Sequence, residues 1–319
     1  MVGITTEQRD LLALCSLTMG EDRCDWGVIA RQAYREQSLD GLLSGEVVES
    51  GARAHRTGWV AATATEGQWT SAFAQADQEI EAAGAFGAQL TTVFDDDYPV
   101  NLRFIHNLPP FVFYRGALDA GSDARSVAVV GTRKPSIEGV RRAERMAIAL
   151  AERDIAVTSG LAEGIDTAAH RATVAHGGRT VAVYGTGITR IYPKSNTGLV
   201  DEILSAGGLV VSQFFPTAQP AQWTFRKRNE VTSGISQGTV VIEASKTSGA
   251  KMQARLAYEH GKRVFLIKSL VTEQDWARTM VDSGQATEIE SVEDIVPLVA
   301  DSGRLRAASE ELLLQPSML

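Results

Sequence analysis

Several short stretches of this chain carry the residue types that hold phosphate: Gly131-Thr132-Arg133, Ser159-Gly160, Gly185-Thr186-Gly187, Ser212, and the 245–249 segment with Ser248 and Gly249. Glycine lets main-chain N–H groups come close to a ligand, hydroxyls donate hydrogen bonds, and a helix starting just beyond contributes its positive end. A turn without a ligand explains any one of these loops. It does not explain the group, so a shared, phosphorylated ligand is expected.

Other residues narrow the chemistry. In SGLAEGIDTAAH (159–170), Asp166 and His170 are four residues apart, on one face of a helix. Such a pair can move protons or anchor a loop, and with no nucleophile in sequence view anchoring is the expectation. The segments IYPKSN (191–196) and FRKRN (225–229) each combine an aromatic ring, a cation and an amide, a mixture suited to stacked bases and their phosphates. The dinucleotide fingerprint is absent, because after Gly185-Thr186-Gly187 its third glycine position holds Arg190, and no GxxxxGK[ST] sequence occurs. Asp95, Asp96 and Asp97 are consecutive, so they cannot all face one ion in regular structure, and no metal is expected there.

The elements that position these loops follow from periodicity. Over 126–300, apolar strand-like runs at 127–130, 155–157, 180–184, 208–211, 240–242, 264–267 and 287–289 alternate with helical patterns at 136–152, 168–174, 199–204, 229–235, 251–260, 274–281 and 292–299. This alternation predicts an α/β fold, an extended Rossmann-type doubly wound and mostly parallel sheet. In such sheets ligands bind beyond the carboxyl ends of the strands, where the loops above begin.

The segment 1–90 predicts a small helical domain, with apolar residues at helical spacing (Leu11, Leu12, Cys15, Leu17; Phe73, Ala76, Ile80, Ala83) and Thr5 or Thr6 as the first cap. Trp26, Trp59 and Trp69 are read there as packing residues. A connecting arm, 91–125, carries Pro99, Pro109, Pro110 and one strand at 111–114, and 301–319 reads as a C-terminal tail or short helix.

Composition fits a water-soluble, cytoplasmic protein: 319 residues, 44% hydrophobic and 22% charged, with no membrane-spanning apolar run and no secretory pattern at the start. Cys15 and Cys24 support neither a disulfide framework nor a zinc site. The net charge of -8 is unevenly spread: residues 1–125 hold 9 basic and 18 acidic groups, residues 126–319 hold 22 and 21. Within 226–268, nine basic residues face only Glu230, Glu243 and Glu259, so a local basic surface is compatible with an acidic protein.

GTRKPS, SGLAEGIDTAAH, YGTGITRIYPKSN, FRKRN and IEASKTSGA, in this order and preceded by DDDYPVNLRFIHNLPPFVFYRG, resemble the DprA/Smf family of bacterial DNA-processing proteins over roughly 92–298. The resemblance implies a Rossmann-type domain that binds single-stranded DNA, forms a homodimer, and helps load the RecA recombinase onto DNA during uptake and recombination. It places the family's DNA-contacting residues on Arg133, Lys194, Arg228 and Asn229. The chain departs from the family pattern at Glu163 (commonly arginine), at Arg226 and Glu230 around the RN pair, at Ala250 followed by Lys251, and at Lys268-Ser269 in place of proline-glycine.

The residues expected to contact DNA or phosphate are therefore Gly131, Thr132, Arg133, Ser159, Gly160, Gly185, Thr186, Lys194, Asn196, Arg228, Asn229, Ser248, Gly249 and Lys251, with no catalytic residue, metal or cofactor. A second reading on the same sheet is a nucleotide sensor or a phosphoribohydrolase similar to the lysine-decarboxylase-like family. The PGGxGTxxE signature of that family is absent, and its cleft carboxylate would have to be Glu243 or Glu163.

Overall fold

The computed structural model describes residues 3–314. Thr5 starts α1 (Thr6–Ser16) with a capping box: its hydroxyl accepts from the Gln8 N–H at 3.1 Å, and the Gln8 side chain accepts from the Thr5 N–H at 3.1 Å. A two-residue ladder, β1 (Thr18–Met19) with β2 (Asp22–Arg23), leads to α2 (Trp26–Glu36), α3 (Asp40–Ser44), α4 (Ala52–Thr63) and α5 (Glu66–Ala85). The arm supplies β3 (Gln89–Thr92) and β4 (Phe111–Gly116).

The alternating region then runs β5 (Ser126–Val130), α6 (Ile137–Ala151), β6 (Ala156–Ser159), α7 (Ile165–Ala175), β7 (Thr180–Val183), α8 (Thr197–Ser205), β8 (Leu209–Ser212) and α9 (Gln222–Gly234). It continues with β9 (Gly238–Val241), α10 (Gly249–Glu259), β10 (Arg263–Ile267), α11 (Lys268–Glu273), α12 (Asp275–Asp282), β11 (Thr287–Ile289) and finally α13 (Ser302–Leu314).

Nine strands form one sheet in the order β11-β10-β9-β5-β6-β7-β8-β4-β3, parallel from β11 to β8 and antiparallel on both sides of β4. The inner strands β5 to β9 are buried along their whole length, as expected of apolar runs covered on both faces. From β5 the chain steps outward through β6, β7 and β8, then returns to place β9 on the other side of β5. The strand order thus reverses between β5 and β9, which opens a crevice at their carboxyl ends.

The interior of α1 to α5 is continuous with one face of the sheet. Leu11, Leu12, Ile29 and Tyr34 belong to the same buried cluster as Phe111, Val181, Val183 and Val211. At the seam the Trp26 ring lies 5.0 Å from Phe111 and 5.4 Å from Phe215, and Phe111 lies 5.6 Å from Phe113. α13 returns to the helical part, where Tyr34 Oη is 3.0 Å from Ser309 Oγ.

The structure amends several expectations. The helix expected at 292–299 is two 3-10 turns, Val292–Asp294 and Val296–Leu298, because Pro297 lacks the N–H that an α-helix needs there. α11 was not expected; of the segment read as a tail or short helix, residues 302–314 are helical, while 315–319 lie outside the described residues. Trp59 is 44% exposed on α4 and is not a core residue.

α9 begins at Gln222, well before the expected 229, so Phe225 to Asn229 are helical rather than loop. Thr224 makes this possible: its hydroxyl accepts from the Ala221 N–H at 3.1 Å and donates to Gly185 O at 2.6 Å. Asp95 and Asp97 close the arm, accepting from the Thr92 N–H at 2.7 Å and from Thr91 Oγ1 at 2.6 Å.

The shared seam gives a test. Phe111→Ala is expected to lower the free energy of unfolding by about 3–5 kcal/mol. Urea unfolding followed by tryptophan fluorescence and by far-UV circular dichroism should shift together in one transition. Separate transitions for the two signals would contradict a common core.

Candidate nucleic-acid interface

The crevice is a groove of about 550 Å³, bounded by residues 131–134 after β5, Gly160 and Ala162 after β6, one face of α9, and the loop from Ser245 into α10. A recess of about 80 Å³ adjoins it, sharing Arg133, Gly160, Phe225 and Arg228 and adding Glu163, Tyr192 and Pro193.

At the floor, Gly160 is held from both ends. Its N–H donates to Asp166 Oδ2 at 3.1 Å, and its carbonyl accepts from Arg228 Nη1, which also reaches Val183 O at 3.4 Å. Arg228 is only 7% exposed, and an added Cβ on Gly160 would come within 1.6 Å of its Nη1, so any larger residue here must displace the guanidinium. Burial raises the pKa of Asp166 and lowers that of Arg228; the opposite charge of each partner resists both shifts, and Arg133 adds to the lowering of Arg228.

On the rim, Phe225 from α9 packs over Gly185, where a Cβ would meet the ring at 2.4 Å. The Arg133 guanidinium lies 5.7 Å from the centre of the Phe225 ring, and the 43%-exposed Tyr192 ring lies 5.2 Å from the same ring. Arg133, Lys134 and Arg226 are exposed and make no ion pair among the described residues. Of the charged residues lining the groove, Arg133, Lys134, Arg226 and Arg228 are cationic and Asp166 alone is acidic. The surface is an anion trough with an aromatic shelf.

The expected residues divide into those that line this trough and those that support it. Gly131, Thr132, Arg133, Gly160, Arg228, Asn229, Ser248 and Gly249 line it. Ser159 lies beneath, its hydroxyl donating to Val129 O at 2.7 Å, and buried Asn196 braces the loop from behind by donating to Leu161 O at 2.9 Å. Thr186 turns inward to Arg190 O at 2.6 Å, while Gly185 is covered by Phe225.

Lys251 does not line the groove, since its side chain runs to the Trp276 ring, 6.0 Å away. Lys194 is exposed just past Tyr192-Pro193 and does not line the groove. Phe225 and Arg226, read in the sequence as a stacking ring and a cation of the FRKRN segment, line it as well, and Lys134, Gln222, Thr232, Met252 and Gln253 line it without having been singled out. Starting α9 at 222 brings 222, 225, 226 and 229 onto one face, a signal hidden when 225–229 is read as loop.

The carboxylates have other partners. Glu243 accepts from the Ser136 N–H at 3.0 Å and from Ser136 Oγ at 2.6 Å, and so occupies the N-terminus of α6, the place where a Rossmann domain receives a pyrophosphate. Glu163 accepts from Ser195 Oγ at 3.1 Å. His170 does not pair with Asp166. Its Nδ1 is 2.7 Å from Thr180 Oγ1, whose proton goes to Val157 O at 2.7 Å, so the imidazole donates from Nδ1 as the neutral tautomer.

A family model for DNA recombination-mediator protein A matches residues 89–300, which contain the whole groove. The chain belongs to that family. The DNA processing protein DprA of Streptococcus pneumoniae is 37% identical over 207 residues, 64% of this chain and 72% of the relative. Protein Smf of Escherichia coli is 38% identical over 170 residues, 53% of this chain and 45% of the relative. The crystal structure of the pneumococcal protein superimposes with a TM-score of 0.71 at 29% identity, covering 94% of this chain and 99% of that one. The Helicobacter pylori DprA, described as having a unique single-stranded DNA binding mode, shares the fold with a TM-score of 0.57 at 24% identity, covering 66% of this chain and 94% of that one.

Two outcomes follow from the floor of the groove. Gly160→Ala should displace Arg228 from the Gly160 and Val183 carbonyls and lower stability by about 1.5–3 kcal/mol, the scale of a hydrogen bond to a buried charge, measured by urea unfolding. His170 is held neutral, its pKa lowered from 6.5 to about 3 by burial and by Arg228. Below about pH 6.5 the unfolded chain gains a proton there that the folded chain does not, so this group's contribution to stability is lost as the pH falls toward 3. His170→Gln should flatten that decline by up to about 1.4 kcal/mol per pH unit, and an unchanged slope would refute the assignment.

Proposed function

We propose that this protein binds single-stranded DNA along the groove, non-catalytically, and presents the strand to a recombinase of the RecA type in the cytoplasm. The observation that carries the reading is the shelf of Phe225 and Tyr192 beside the unpaired cations Arg133, Lys134 and Arg226. Stacking on aromatic faces accepts any base, and exposed guanidinium and ammonium groups accept the phosphates between them. The solved Helicobacter pylori relative, described as a single-stranded DNA binder, has the same fold. Exposed Lys194 extends the cationic path beyond Tyr192, and Arg228 acts by shaping the floor. Homodimerisation and the recombinase partner rest on the family resemblance.

A hydrolytic role finds little support in the carboxylates. Glu243 spends both oxygens on Ser136, and Glu163 sits on the recess beside Ser195. No helix among the described residues is long and apolar enough to cross a membrane.

In gel-shift titrations against an oligodeoxynucleotide, Arg133→Ala with Arg226→Ala should weaken binding and make the salt dependence shallower by about 1.4, or about 0.7 for each phosphate no longer neutralised. Lys194→Ala alone should remove about half that slope change. Unchanged affinity in the double variant would overturn the groove assignment. Release of free base from nucleoside monophosphates, abolished by Glu243→Gln, would replace this reading with an enzymatic one.

A further inference from the structure

The opposite side of α9 carries a second cleft, and we propose that it holds a continuation of the same single strand. This rests on the function proposed above and adds a second binding segment to it. The cleft, about 790 Å³, lies between the helical part and α9, walled by residues 23–27, by α4, by residues 106–109 of the arm, and by Trp223, Lys227 and Glu230. Residues 223, 227 and 230 follow helical spacing and form one face, whereas 222, 225, 226 and 229 face the groove, so α9 is a ridge between two troughs.

Charge singles out this cleft. Residues 1–125 contain only 9 basic groups against 18 acidic ones, yet Arg23, Arg31, Arg53 and Arg56 all line it, joined by Lys227. Arg31 is committed to Glu49 at 2.7 Å and to the His106 carbonyl. Arg53 and Arg56 are open: their side chains are 82% and 55% exposed, with Asp25 at 3.8 Å and Asp22 at 3.2 Å. Exposed pairs of this kind contribute little and yield readily to a phosphate. The lining carboxylates are already engaged, Asp25 as the cap of α2 through the Val28 N–H at 3.1 Å and Glu230 with Lys227 at 3.1 Å.

An aromatic surface stands beside these cations. Trp223 is 61% exposed and touches Phe214 edge-on at 5.7 Å, leaving much of its indole open. An open indole rimmed by arginines repeats, on the far side of the ridge, the combination found at Arg133, Phe225 and Tyr192.

Fluorescence anisotropy with a short and a long oligodeoxynucleotide, roughly 6 and roughly 20 nucleotides, separates the two segments. Trp223→Ala and Arg53→Glu with Arg56→Glu are surface changes, and unaltered thermal unfolding verifies their fold. Expected is about a tenfold loss for the long oligonucleotide, a salt slope shallower by about 1.4 in the arginine variant, and short-oligonucleotide binding unchanged within about twofold. Long-oligonucleotide binding equal to wild type overturns the second segment and leaves the groove standing. Equal loss for both lengths also overturns it, since the cleft would then not be a continuation. Saturable binding of deoxyadenosine monophosphate abolished by Trp223→Ala would replace the strand with a mononucleotide, and a wild-type protein that binds neither oligonucleotide would remove both readings.

Discussion

Gly160 is gripped through its N–H by Asp166 and through its carbonyl by Arg228, and the geometry of the groove depends on that grip. The two side chains come from different helices, α7 and α9, and they meet on the loop that leaves β6. The buried guanidinium and the buried carboxylate favour each other's charged form, and the Gly160 peptide joins them. With Arg228 fixed, the register of α9 is fixed, and with it Phe225, Arg226 and the aromatic shelf. Arg228, expected from the sequence as a ligand contact, lines the groove and also fastens its floor.

The division of labour among cations follows from burial. Arg228 is enclosed, with Nη1 committed to the Gly160 and Val183 carbonyls and Nε to Asn229 Oδ1, whereas Arg133, Lys134 and Arg226 stand in water with their donors available. An acidic protein can therefore present a basic trough, because the fold gathers a minority of charges at the carboxyl ends of the strands and ties acids into caps and pairs. Asp95, Asp123 and Glu243 illustrate this, each tied to a main-chain N–H or to an arginine.

Much of the fold was legible because buried parallel strands announce themselves as short apolar runs ending in glycine or serine, as at Val130-Gly131 and Ser159-Gly160. The place of the crevice was legible for the same reason, since it follows from the strand order of a doubly wound sheet. Individual roles were not. Nothing local in the sequence says that the Ser159 and Thr186 hydroxyls turn to main-chain carbonyls, that Asn196 braces a loop from behind, or that His170 meets Thr180 rather than Asp166. Those outcomes are decided by which buried polar groups lack partners once the chain is packed. The start of α9 was obscured because Pro220 and the polar run after it resemble a loop, while Thr224 stabilises the helix through a bond to distant Gly185.

Glu243 at the head of α6 bears on how such a protein behaves among abundant metabolites. Nucleotide cofactors recognise this fold by placing diphosphate at that helix end, and here the chain supplies its own carboxylate, tethered and at very high local concentration. A soluble cofactor would have to displace a covalently attached competitor. That helix end is thereby taken by the chain's own carboxylate, while the cations of the rim, Arg133, Lys134 and Arg226, lie clear of it.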